Sequence, residues 1–307
     1  MHPDAPAGCS GGVVDSHSIQ RKGPLKKIVS DNNHVLHFAH SGVDSSFGIE
    51  EIGWRRASIF PGFCGEHDSE LFKNLEHNKF DGSHEQCVLQ AFRNLCNERY
   101  RKLALIESIQ ALRQSVDRGY DRHRQIEVQL GFAKTIDNST LSLEELTGFL
   151  VVFEKAVKSG NFDSLSSSVY FFEGDLSVVS SSAFQVEYDF SGNQLADLYA
   201  PGVEPGMISH SIMATNTGGA IVFCWPAGDA DAATLVQSFE DIADDEKGDV
   251  FTQYCFLNAE NTYFSRVWWE DLSVAQRAYI RTLSQSHYYD GGRYSAREER
   301  LVVWDMS

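Results

Sequence analysis

The chain has 307 residues, 42% of them hydrophobic and 12% aromatic, with a formal net charge of -17, which is enough apolar material for a sizeable core. So negative a chain is not coated in nucleic acid, because phosphate binding needs a positive surface. No run approaches the roughly 20 apolar residues of a membrane span, and the start MHPDAPAGCSGG lacks the basic-then-apolar order of a secretory signal, so a cytoplasmic protein is expected.

The first 80 residues are short runs broken by Gly, Asn and Ser. Asn32-Asn33 before the alternating HVLHF predicts a turn into a strand, and GIEEIGW and ASIFPGF predict further short strands. So few apolar residues suggest a segment tied by metal. From Ser83 the period becomes helical: Ser83 with Gln86 forms a capping-box pattern, and Leu89, Phe92, Cys96, Leu103 and Ile106 follow, with a break expected near Gly119. A second box, Ser142 with Glu145, predicts a helix start before LEELTGFLVVFEKAVKSG, which stops at Gly160. Strands are then expected at SSVYFFEG, SAFQVEYDF, MISHSIMA and AIVFCW, the last two joined by the hairpin turn TNTGG. DAATLVQSFEDI reads as an amphipathic helix, and Ser273 with Gln276 caps a final one. The fold class is α+β: a small ββα-like, zinc-tied N-terminal segment (1–82), a central helical hairpin (83–160), and an acidic C-terminal domain of antiparallel sheet with helices (161–307).

Charge is unevenly spread. Residues 1–130 carry 16 Lys and Arg against 17 Asp and Glu, while residues 131–307 carry 10 against 26. Nucleic acid, if bound, is expected on the N-terminal part near HSIQRKGPLKK and GWRR, and a protein partner on the acidic C-terminal part.

Of six cysteines, Cys87, Cys96, Cys224 and Cys255 sit in apolar or helical runs, whereas Cys9 and Cys64 lie in Gly-bearing loops. Cys64 and His67 form a C-x-x-H step, one of the two close ligand pairs that a zinc site uses. Cys9 and His17 are its upstream partners, with His2 as a further ligand. His34, His37 and His40 recur every three residues, which on a strand sends neighbours to opposite faces, so they are read as surface or packing groups. The acidic run DIADDEKGD lacks the alternating ligand offsets of a calcium loop and reads as a solvated helix end. Trp268 and Trp269 read as core. No nucleophile elbow, phosphate loop or dinucleotide fingerprint occurs.

The blocks CSGGVVDSHSIQR, ASIFPGFCGEHDSELFKNLE, HEQCVLQAFRNLCNERYRK and ENTYFSRVWWEDL resemble a widespread, largely uncharacterised family of bacterial proteins. In it a Cys precedes a second Cys and a Ser/Ala-His step, followed by a GFC-x-x-HD block and an EN-x-Y block before paired tryptophans. The resemblance covers most of the chain and implies that the family's first Cys would fall at or just before residue 1. His2, His17 or that upstream Cys then completes the zinc site.

A second resemblance is to HNH-type endonucleases, built on a zinc-tied treble-clef or ββα core. It implies that His17 acts as general base on water, that Arg21 or Lys22 holds the scissile phosphate, and that Asp68 stands where a catalytic metal ligand, for Mg2+ or Mn2+, is expected. The span from His17 to Cys64 is longer than in that motif, and its Asn is missing. The expected function is thus a zinc-bound, HNH-like protein acting on nucleic acid, as a metal-dependent nuclease in bacterial anti-phage defence. The alternative is a non-enzymatic, zinc-stabilised protein that binds a partner through its acidic C-terminal domain. A His17 that ligates zinc has no lone pair left to serve as base, so its position separates the two.

Overall fold

A computed structural model describes residues 9, 11–41, 46–198, 200, 202–289 and 299–306. The N-terminal part contains β1 (Val13–His17), a kinked helical turn at Arg21–Leu25, β2 (His34–Ser41), β3 (Ser46–Gly53), β4 (Ile59–Cys64), α1 (Gly65–Leu71) and α2 (Lys73–His77). β1 and β4 pair antiparallel as a separate two-stranded sheet, and α1 leaves the end of β4 directly. The turn expected at Asn32-Asn33 is present, with Asn33 in the left-handed region at φ 62°, a conformation that Asn tolerates better than most residues.

Two long helices follow, α3 (His84–Leu112) and α4 (Arg122–Ser159), and the chain reverses between them around Gly119, whose φ is 88°. The Ser142 box does not start a helix. α4 begins twenty residues earlier, where Asp121 caps it by accepting a hydrogen bond from the Arg124 N–H at 3.0 Å, so Ser142 is interior to α4. Ser83 does precede α3, but the cap is Asp81: its carboxylate accepts from Ser83 N–H at 2.9 Å, and Gln86 Oε1 accepts from Asp81 N–H at 3.0 Å. α4 ends, as expected, at Gly160 in the left-handed conformation.

The C-terminal part supplies β5 (Leu165–Glu173), β6 (Val178–Gln185), β7 (Met207–Ala214), β8 (Gly218–Pro226), α5 (Ala230–Glu240), α6 (Asp244–Asn258), β9 (Thr262–Phe264), α7 (Arg266–Asp271), α8 (Val274–Tyr289) and β10 (Asp305–Met306). With β2 and β3 these strands form one antiparallel sheet, in the order β10-β5-β8-β7-β6-β9-β2-β3. The fold is therefore α+β with an antiparallel sheet and helices, and its main sheet crosses the predicted boundaries at 82 and 160. Leu36 and His37 of β2 face Phe264 and Tyr263, and β9 pairs on its other side with β6.

One core lies between this sheet and α5 and α6, where Phe223, Phe239 and Phe251 are fully buried. A second lies beneath the first half of α3 and the last turns of α4, around Phe63, Phe72, Phe92, Leu150 and Phe153. Trp268 is core, as expected: it stacks on Phe256 and donates its indole N–H to the Leu301 carbonyl at 2.6 Å. The acidic run departs from expectation. It opens α6, and Asp249 is buried, accepting from the Leu301 and Val302 N–H groups at 2.5 and 2.9 Å. A carboxylate that caps two backbone donors is retained inside rather than solvated.

Candidate metal centre

Cys64 ends β4 in extended conformation and is the N-cap of α1, so His67 falls three residues on, in the first helical turn. That spacing brings both side chains to one side of the helix start. Cys9 approaches from ahead of β1, whose Val13 pairs with Cys64. The ligand atoms of Cys9, Cys64 and His67 all lie within 4.8 Å of one another, with Cys9 Sγ and His67 Nδ1 3.7 Å apart. Two thiols and an imidazole converging in this way can hold a metal ion. Cys64 and His67 are buried and Cys9 is exposed. Desolvation, then the adjacent Cys64, raises the Cys9 thiol pKa. A bound cation would reverse that by favouring the thiolate.

His17, expected as a ligand, is not in this group. The reason is the register of the β1–β4 ladder: Val13 faces Cys64, but His17 faces Ile59 at the other end of the strand, about 13 Å along at 3.3 Å per residue. His17 is 8% exposed, and its Nε2 donates to the Arg55 carbonyl at 3.4 Å. Burial, then the charge of Arg21, lowers its pKa, with Arg93 adding to the effect and Glu76 opposing it. The ring is therefore neutral at pH 7, and its carbonyl partner assigns the proton to Nε2 and leaves a lone pair on Nδ1. His2 lies outside the described residues.

Asp68 follows His67 on α1 but does not join the three-residue cluster. Its Oδ1 is buried without a hydrogen-bond partner. Arg21 sits on the exposed kinked turn just beyond β1. Sequence reasoning missed Arg93 and Glu76 altogether. Arg93 is 1% exposed, pairs through Nη1 with Glu76 Oε1 at 2.7 Å, and lies 3.9 Å over the Phe72 ring. Its place in an apolar-looking helical run, between Phe92 and Cys96, gives no sign that it meets a histidine from β1.

Behind β1 runs a buried polar network. Ser18 and Ser58 bond through their hydroxyls at 2.5 Å, and Asn261 Nδ2 donates to Ser18 Oγ at 2.8 Å and to Ser181 at 3.0 and 2.9 Å. Gln90 Nε2 reaches the Ser18 carbonyl at 2.8 Å, and the Tyr263 hydroxyl accepts from the Ser58 N–H at 2.8 Å. The strand that carries His17 is thus anchored to both α3 and the main sheet.

Comparison with protein-family models, with curated proteins and with solved structures finds no match. No described helix is long and apolar enough to cross a membrane.

Proposed function

We propose that this chain is a zinc-bound, HNH-like protein that acts on nucleic acid as a metal-dependent nuclease. The observation that carries the reading is the position of His17: outside the Cys9, Cys64 and His67 group, neutral, and oriented by the Arg55 carbonyl. A group so placed is available as general base. The β1–β4–α1 order, with one metal-binding side chain ahead of β1 and two at the start of α1, is similar to a treble clef. The donor set fits zinc: bonds of about 2.3 Å to sulfur and 2.0 Å to nitrogen at a tetrahedral angle put those atoms about 3.6 Å apart, against 3.7 Å for Cys9 and His67. The fourth position falls to His2 or to solvent.

In this reading His17 Nδ1 takes a proton from water as the water oxygen bonds to phosphorus and the opposite P–O bond breaks. Arg21 holds the phosphate, and Arg93 keeps the site positive while Glu76 fixes its guanidinium. Mg2+ or Mn2+, if held at the Asp68 carboxylate, would supply charge stabilisation of the pentacoordinate phosphorus. A cytoplasmic location and a role in bacterial defence belong to the same proposal and rest on the resemblance of the sequence blocks.

The test is cleavage of single- and double-stranded DNA and RNA with Mg2+ or Mn2+, alongside metal content. His17→Ala is expected to abolish cleavage with zinc content and circular dichroism unchanged, and Cys64→Ser to lose the zinc. Cleavage unaffected by His17→Ala overturns the assignment. The charge of the chain supports a second reading, a non-enzymatic protein with zinc as a staple, because residues 131–307 carry 10 Lys and Arg against 26 Asp and Glu. Absence of cleavage, together with a stoichiometric protein partner that needs the acidic part, would favour it.

A further inference from the structure

The helical hairpin leaves the body of the molecule as an arm. Ser182 Oγ donates to Glu98 at 2.8 Å and Gln185 Nε2 to Glu145 at 2.5 Å, and these bonds mark where α3 and α4 depart. Between them, over residues 99–144, only Ile109 is buried. Helices of this length draw most of their stability from burial of an apolar face, and two alone bury little.

We propose that the arm is a self-association surface, on which α4 pairs antiparallel with α4 of a second copy of this chain. Ile126, Leu130 and Leu141 of α4 are 51%, 66% and 57% exposed, and at 100° per residue they fall within about 60° of one another, one stripe along the helix. An exposed stripe of large aliphatic side chains fits a protein helix rather than a phosphate backbone. Charge selects the second copy. Residues 99–144 carry eight Lys and Arg against six Asp and Glu, while the rest of the chain carries 18 against 37. The arm is where two such acidic chains meet without strong like-charge repulsion.

The arm is also polarised. Arg118, Arg122 and Arg124 gather at its tip, and Glu144 and Glu145 stand at its base. An antiparallel, two-fold pairing that sets Ile126 against Leu141 of the second copy also sets Arg122 against Glu145. Two-fold symmetry makes each contact twice. A parallel pairing would stack the tip arginines on one another.

Sedimentation and light scattering on the full chain test this. A dimer is expected, with Leu130→Lys raising its dissociation constant at least about tenfold while helicity holds. Arg122→Glu is expected to weaken the dimer, and Arg122→Glu combined with Glu145→Arg to restore it. If Leu130→Lys lowers helicity, the charge swap alone decides. A wild type that stays monomeric at millimolar concentration overturns the proposal, whatever foreign protein, nucleic acid or vesicle it binds. So does a dimer indifferent to Leu130→Lys and to the swap.

Discussion

The two halves of α3 invert the usual relation between polarity and burial. From Gln86 to Asn97 every residue is buried, including Gln86, Gln90, Arg93, Asn94 and Asn97, whereas beyond them Leu105 and Leu112 face solvent. The first half tolerates its amides because each has partners. Asn94 Nδ2 reaches Ser209 Oγ, the His210 carbonyl and Ser211 Oγ at 2.9, 3.0 and 2.8 Å, and its Oδ1 accepts from Gln90 at 2.8 Å. The second half has outrun the sheet and has only α4 beside it. Burial along one helix is thus decided by what the rest of the chain brings alongside.

Removing Asn94 should have the largest effect. Asn94→Ala strips four bonds from the buried network, and a loss of about 3 kcal/mol in urea unfolding is expected. A loss below about 1 kcal/mol would mean that the amide face is dispensable and that apolar packing alone holds this half.

Acid should come second. His210 is fully buried on the same network, with Ser180 Oγ 3.0 Å from its Nε2, and burial pushes its pKa down from 6.5 to about 3. The unfolded chain binds that proton below pH 6.5 and the folded chain does not. This contribution is therefore complete above about pH 6.5 and is lost as pH falls toward 3. Between pH 7.5 and 5 it amounts to roughly 2 kcal/mol. His210→Gln should flatten the unfolding midpoint over that window, and an unchanged slope would place the acid sensitivity elsewhere.

The exposed half should respond least. Leu105→Gln is expected to change monomer stability by less than about 0.5 kcal/mol, measured at a protein concentration low enough to exclude association. A loss comparable to that of Asn94→Ala would erase the contrast between the two halves.

Much of the fold was legible because it is written locally. TNTGG makes the β7–β8 hairpin, and Ser273 and Gln276 bond reciprocally at 2.9 and 3.2 Å ahead of α8. The Cys64–His67 step was equally local, since both ligands sit at one helix start. What escaped depends on partners distant in sequence. The start of α4 was misplaced because Ser142 and Glu145 match a capping pattern while lying inside an uninterrupted helix. His17 was grouped with the metal because sequence spacing does not give strand register, and the β1–β4 ladder carries it to the far end from Cys64. Arg93, Asn94 and Asp249 looked solvent-facing because their partners lie 17 to 117 residues away.

The shortest strand of the main sheet sets an order of events. β2 and β3 join the other strands only through β9, residues Thr262–Phe264, more than two hundred residues downstream of β2. Contacts that span so much chain form late, because loop closure precedes any reward. During synthesis, the segment that carries the candidate metal centre therefore waits for residue 264 before its second strand finds a neighbour in the main sheet, and until then β2 and β3 form an open-edged hairpin for a chaperone or a stray strand to find.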